Sequence, residues 1–521
     1  MKRYFTLCLC VGFAFAGGAQ SVNTSTLDLN NADALITDGG VFFNNESSSS
    51  PGLAIPSGSQ LNTVFSMAFW YGGLDVNGQL KLSAQEYENF ADQWTGPLTV
   101  GSGQTTSSTV WAYQQLFSVT KAEIVDFQNN YMNPGYVVPN SISSWPAHGD
   151  ISEGYDYYLA PFVDVDGDGI YDPHNDGDYP CIRGDQAIYL IMNDAAYAHA
   201  SGGDPIGLEM HYMFYEYDTQ LDDRANTIFV HGKLINRGTQ TLYDFKTSVF
   251  MDADIGNSAD DYFGSDSTRN LMCFYNGDNV DETTAFVQGY GENPPAAGIV
   301  SLSQDFESIG LIDGDISTAA QYWYLMNGNS ISGAPWTNPV TSNPTSFVYS
   351  SDPMSTTAVD SEQAQMNPPG ERRGLATLDF GTLQPAQERE FDFAVIYNRN
   401  GGNNIQHASE LRLVADNIQQ FADSSFANDC FADQGTIGIE PIKVENFSIH
   451  PNPSNGQFTL AVDADLSNVQ AKITDLTGRV VMDVFNVTSA ETQIQVNEPA
   501  GVYFLQLSVD GRESVKRIVL K

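Results

Sequence analysis

The sequence predicts a mainly β protein: a β-sandwich-rich body with a few peripheral helices, followed by a small seven-stranded sandwich. Three observations predict it. Gly, Asn, Ser, Thr and Asp abound while Lys is scarce, which favours turn-rich β structure over helical bundles. Hydrophobic residues make up 41% and aromatics 12% of the 521 residues, enough for sizeable cores. Short apolar runs bounded by turn residues recur from Gly154 to the C-terminus. At roughly 100–200 residues per domain, the length allows more than one domain.

Residues 1–19 read as a secretory signal peptide. Lys2 and Arg3 precede an apolar run, Leu7 to Phe15, that is too short to span a membrane. Small residues at Ala14-Phe15-Ala16 or Gly17-Gly18-Ala19 offer the cleavage site. No other stretch is long and apolar enough to predict a transmembrane segment.

Residues 20–435 form the β-rich body, with a change of pattern at Gly154 that allows a division into 20–153 and 154–435. Two capping boxes predict helices: Ser83 with Glu86, running to about Trp94, and Thr120 with Glu123, running to about Tyr131. Strands are expected at Ala187–Met192, Gly207–Tyr217, Thr227–Asn236, Thr241–Met251, Ser346–Ser350, Leu375–Phe380 and Glu390–Tyr397. The second and third make a hairpin. Closed about Asp222, it sets Met213 opposite His231 and His211 opposite Lys233. With Glu209 nearby, the two histidines form either a transition-metal pair or a half-buried structural one. A helix over Ile405–Phe421 carries Leu411, Val414, Ile418 and Phe421 on one stripe. Residues 427–444 read as a linker.

Charge separates the two parts. The chain holds 22 Lys+Arg against 64 Asp+Glu, a net charge of −42, yet residues 441–521 carry 7 basic and 9 acidic groups. An acidic field of this size in the body repels phosphate backbones, which excludes nucleic acid as a partner. It reads either as a solubilising surface or as carboxylates gathered on cations. Cys181, Cys273 and Cys430 remain after the signal; they allow one disulfide and a spare thiol in three pairings, or three buried thiols.

Residues 445–521 show seven strands at tight spacing: Phe447–Ile449, Gln457–Val462, Gln470–Thr474, Arg479–Phe485, Thr492–Val496, Val502–Val509 and Val515–Leu520. Phe458, Leu460 and Val462 share one face, as do Tyr503, Leu505, Leu507 and Val509, the pattern of an Ig-like β-sandwich. The stretches His450-Pro451-Asn452-Pro453 to Gly456, Asp475 with Gly478-Arg479-Val480-Val481, Gly501-Val502-Tyr503-Phe504 and Lys516 to Lys521 follow in order. In these the segment resembles the type A sorting domain of Bacteroidota type IX secretion cargo, with His450 where the family usually has Tyr. The resemblance implies export through the periplasm, recognition by an outer-membrane translocon and removal by a sortase-like peptidase. It further implies release or attachment to surface lipopolysaccharide, and so an extracellular or cell-surface location.

In the body, Asp164-Val165-Asp166-Gly167-Asp168-Gly169-Ile170-Tyr171-Asp172 carries the strongest chemistry. Carboxylates at alternate positions converge on a cation when a glycine at the sixth position allows a sharp turn. Asp164, Asp166 and Asp168 would be ligands, with the carbonyl of Ile170 and then Asp172, often through water. The nine residues resemble the calcium loops of EF-hand, dockerin and thrombospondin type 3 repeats. Asn175 stands where an EF-hand has Glu, so a structural Ca2+, completed by Asp176 or Asp178, is expected rather than a sensor. Asp252, Asp254, Asp260, Asp261 and Asp266 form a looser second cluster; Asp278/Asp281 and Asp313-Gly314-Asp315 are weaker. Nucleophile elbows, zinc-protease helices and phosphate loops are missing from the sequence. The expectation is a non-catalytic surface protein making adhesive, matrix or glycan contact; the alternative is a secreted hydrolase of polysaccharide or protein. The body also looks like other uncharacterised surface proteins carrying this address domain.

Overall fold

The structure, a computed structural model, describes residues 21–45, 52–220, 222–285, 287–357, 359–426, 447–452, 454–462, 469–475, 479–499, 501–509 and 512–521. The signal peptide 1–19, the linker 427–444 and Cys430 lie outside them. The chain divides into two compact units, Met1–Asp433 and Gln434–Lys521.

Alternation along strands builds the first unit. In Gln186–Asn193, Ile188, Leu190 and Met192 face one way and Ala187, Tyr189 and Ile191 the other, and every residue of the strand is buried. Burial on both faces explains why this stretch reads as a continuous apolar run. It belongs to a nine-stranded sheet ordered Asp261–Asp266, Leu271–Asn276, Ala296–Ser301, Glu388–Asn398, Ile228–Asn236, Leu208–Glu216, Gln186–Asn193 and Trp94–Thr95. Phe117–Thr120 pairs with Gln186–Asn193 off that path. The hairpin closes in the expected register, His211 opposite Lys233 and Met213 opposite His231.

A six-stranded sheet shares a core with it. Its order is Ser308–Leu311, Arg373–Leu383, Leu242–Asp252, Ser66–Leu74 and Val41–Phe42, with Leu80–Ser83 on Ser66–Leu74. Phe69, Tyr71, Val249 and Met251 from this sheet meet Tyr212, Phe214, Phe391 and Phe393 from the other. The Tyr71 and Tyr212 hydroxyls hydrogen-bond to each other across that core.

Helices cover the outer faces. Asn404–Ser425 lays Leu411, Val414 and Ile418 on the nine-stranded sheet, as its apolar stripe predicts. Ala319–Met326 covers Trp70, Phe250 and Leu375 on the other. The result is a β-sandwich with helices outside both sheets.

Two local expectations are corrected. Thr120 and Glu123 do form a capping box, on the helix Lys121–Asn130. Ser83 instead ends the strand Leu80–Ser83 and no helix follows. Tertiary contacts take both side chains of the box: the Ser83 hydroxyl donates to the Asp92 carbonyl (3.4 Å), and the Glu86 carboxylate accepts from the Tyr322 hydroxyl (3.0 Å). Ser346–Ser350 is not a strand either. Pro344–Thr345 pairs briefly with Trp336–Thr337, and Phe347 makes a single bridge to Ile309.

Of the cysteines, Cys273 is free and buried, and Cys181 is disulfide-bonded. The partner of Cys181 is not among the described residues.

The second unit has the seven expected strands in two sheets. One orders Phe447–His450, Gln457–Val462 and Glu491–Gln495; the other Val480–Asn486, Val469–Asp475, Gly501–Val509 and Arg512–Leu520. Phe458, Leu460, Ile473, Ile494, Leu505, Leu507 and Ile518 fill the space between. The motif residues hold the ends together. Asn452 Oδ1 accepts from Val519 N–H (2.8 Å), and Arg479 bridges Asp475 (2.8 Å) and Glu498 (2.9 Å).

Candidate functional site

Phe162–Val163 pairs with Tyr179–Pro180, so residues 164–178 are the loop of a hairpin. Within it Asp164, Asp166 and Asp168 each offer a carboxylate oxygen, and these lie within 4.8 Å of one another. Gly167 and Gly169, both at φ +79°, make the reversal that L side chains resist. The loop's own backbone aims the acids. Asp164 accepts from Gly167 N–H (2.8 Å) and Gly169 N–H (2.7 Å), and Asp168 from Ile170 N–H (2.7 Å).

Asp178 sits beneath, fully buried, and accepts from Val165 N–H (2.8 Å) and Asp172 N–H (2.9 Å), stapling the two limbs. Asp172 is not one of the three convergent acids: its oxygens accept from His174 and Asn175. Ile170 is exposed.

Electrostatics strain the loop as it stands. Asp176 is raised above the usual carboxylate range by desolvation and by the charges of Asp166, Asp172, Asp168 and Asp178. Asp178 is raised by burial, which its two N–H donors oppose and Asp164 and Asp166 reinforce. Oxygen ligands, a glycine at the turn and mutual repulsion fit a hard cation.

Sequence reasoning missed His148. Its ring stacks on Tyr157 with centroids 4.0 Å apart, and Nε2 accepts from Tyr171 N–H (2.8 Å), inside the loop. With Nδ1 3.1 Å from the Tyr157 carbonyl, the ring is a neutral brace, and burial lowers its pKa. The density of Tyr between Tyr155 and Tyr171 was the available signal.

The second cluster separates. Asp252, Asp254, Asp260 and Asp261 gather at one end of the sandwich, and Asp281 joins them. Asp266 is at the far end of the strand Asp261–Asp266, roughly 17 Å away at the rise of an extended chain. There Arg269 (3.0 Å) and Arg412 (3.2 Å) pair with it, and its pKa is lowered: against burial, Thr268 and the two arginines prevail.

The histidines serve different partners. His211 bonds Tyr189 (2.7 Å) and Glu209 (3.0 Å); burial pushes Glu209 up, but His211 and Arg237 outweigh it and hold it at about 2. His231 pairs with Asp392 (3.0 Å), which Arg183 also contacts (2.5 Å). Trp70, Trp94 and Trp145 are buried, Trp111 is exposed, and Trp323 and Trp336 are half-buried.

Residues 448–521 match the family model described as "Secretion system C-terminal sorting domain". No curated protein matches the chain. Among solved structures, a polysaccharide lyase is similar at TM-score 0.20 and 10% identity, over 70% of this chain and 37% of that one. The chain therefore spans little more than a third of that protein, and a likeness this distant carries no argument. The sorting domain makes the chain a type IX secretion cargo that engages that system and is exported to the cell surface or the extracellular space. Among the described residues no helix is long and apolar enough to cross a membrane.

Proposed function

We propose that the body is a calcium-stapled, non-catalytic module that makes adhesive contact with matrix, glycan or protein outside the cell. The convergence of Asp164, Asp166 and Asp168 carries this reading. These three would ligate Ca2+, with the Ile170 carbonyl and Asp172 completing the set, and Asp178 and His148 would position them. Bound calcium neutralises the repelling carboxylates; in extracellular modules its affinity is about 0.1–1 mM. Burial of Trp70, Trp94 and Trp145 in packing, rather than along a groove, supports contact over polysaccharide cleavage. A sortase-like peptidase would remove the sorting domain, with release or attachment to lipopolysaccharide.

Two experiments test it. Purified mature protein, screened with and without calcium against glycan and peptide libraries, should bind without turnover; turnover would replace this reading with the hydrolase one. A chain truncated before Val444 should remain inside its native cell, and normal export of it would remove the delivery route.

A further inference from the structure

We propose a second, interior calcium site formed by Asp252, Asp254 and Asp261, independent of the exposed loop. The strand Leu242–Asp252 ends at Asp252, and the chain returns as Asp261–Asp266. Asp252 is 3% exposed and Asp261 0%. Asp252 Oδ2 accepts from the Tyr87 hydroxyl (2.7 Å) and Asp261 Oδ2 from Ile255 N–H (3.1 Å). Their Oδ1 atoms are buried and meet no donor among the described residues. Asn62 brings a third such oxygen: its Oδ1 is buried without a partner among the described residues, while its backbone carbonyl receives Gly256 N–H (2.9 Å).

Charge points the same way. Asp254 lies in the field of Asp252 and Glu371, and Asp261 in that of Asp254, Asp260 and Asp281. Arg373 acts on Asp252. Asp281 is satisfied separately, by the N–H groups of Asn257 (3.1 Å) and Tyr290.

A proton shared between two of these acids is the competing answer to the open oxygens, and the calcium titration below separates the two. A cation answers both open oxygens and the charge at once. The donors are all oxygen, which selects a hard ion. Asp252, Asp254 and Asp261 do not converge within 4.8 Å as the loop trio does, so a bound cation would draw them together.

The test uses the whole mature chain freed of metal, titrated with CaCl2 by calorimetry. Wild type should take up one equivalent more than a loop variant carrying Asp164→Asn and Asp166→Asn. That loop variant should still bind calcium, and adding Asp254→Asn should abolish the remaining binding. Asp254 is half-buried and its change to Asn is near-isosteric, so folding should survive; far-ultraviolet circular dichroism checks it. As a second readout that needs no interior substitution, Tb3+ bound to the loop variant should luminesce on tyrosine excitation, because Tyr87 touches Asp252. A loop variant that binds no calcium and gives no Tb3+ emission overturns the interior site, as does undiminished uptake after Asp254→Asn. If the loop variant binds as much as wild type, the loop reading fails and the interior site stands.

Discussion

The loop at residues 164–178 and the turn at residues 252–261 are both Asp-rich, yet the fold treats their carboxylates in opposite ways. In the loop, backbone N–H groups answer Asp164 and Asp168, and Asp166 and Asp168 are exposed to water. In the interior turn, Asp252 and Asp261 are buried and each has an oxygen that no donor among the described residues meets. Spacing in sequence marks where ligands can converge. Burial decides how much the fold needs the ion: solvated acids tolerate its loss, whereas dry ones do not.

Removing calcium gives the largest effect. A site held at 100 times its dissociation constant contributes about 2.7 kcal/mol, so two sites together stabilise the body by roughly 5 kcal/mol. EDTA should therefore lower the melting temperature of the mature protein markedly, and an unchanged melt would remove both sites. Substitution then separates the regions. In calcium, Asp166→Asn and Asp254→Asn should each lower the melt. In EDTA, Asp254→Asn should raise it, because a half-buried acid crowded by Asp252 and Glu371 is replaced by a neutral amide. Asp166→Asn in EDTA should change it little, since water already solvates that acid. The same sign at both positions in EDTA would erase the contrast between the regions.

Glu216 shows what burial does to a carboxylate far from either cluster. It is fully buried, accepts from Leu29 N–H (2.6 Å), and burial pushes its pKa from 4.5 to about 7. The folded protein holds this proton more tightly than the unfolded chain does. Its stabilising contribution is therefore complete below pH 4.5 and is lost as pH rises through 7. Glu216→Gln should flatten the fall in melting temperature between pH 5 and pH 8 and stabilise the protein at pH 8, by roughly 2 kcal/mol. Calcium should leave this difference unaltered; a calcium-dependent Glu216 effect would mean that burial and cation demand are not separable in this fold.

Much of this was legible in the chain. The hairpin register, the seven strands of the second unit and the loop trio all follow from periodicity and spacing, which are local. What failed was decided by distant partners. The Ser83 box looks like the Thr120 box on paper, but Asp92 and Tyr322 claim its side chains. Asp266 looks like a cluster member until the strand carries it to the opposite end, where Arg412 from the long helix meets it. Asn62 has no acidic neighbour in sequence to announce it; only the folded chain brings it to the 252–261 turn, where its carbonyl meets Gly256 N–H.

His148 gives the smallest effect and the narrowest discrimination, because it reaches one region alone. His148→Phe keeps a ring to stack on Tyr157 but removes the acceptor for Tyr171 N–H, which lies between Ile170 and Asp172. A lost hydrogen bond of about 1 kcal/mol corresponds to roughly a fivefold weaker calcium affinity. Calorimetry on the Asp254→Asn background should show that weakening at the loop. On the background lacking the loop acids, the same substitution should leave the interior affinity as it was. Equal weakening on both backgrounds would mean that the two acidic regions are coupled through the sandwich rather than independent.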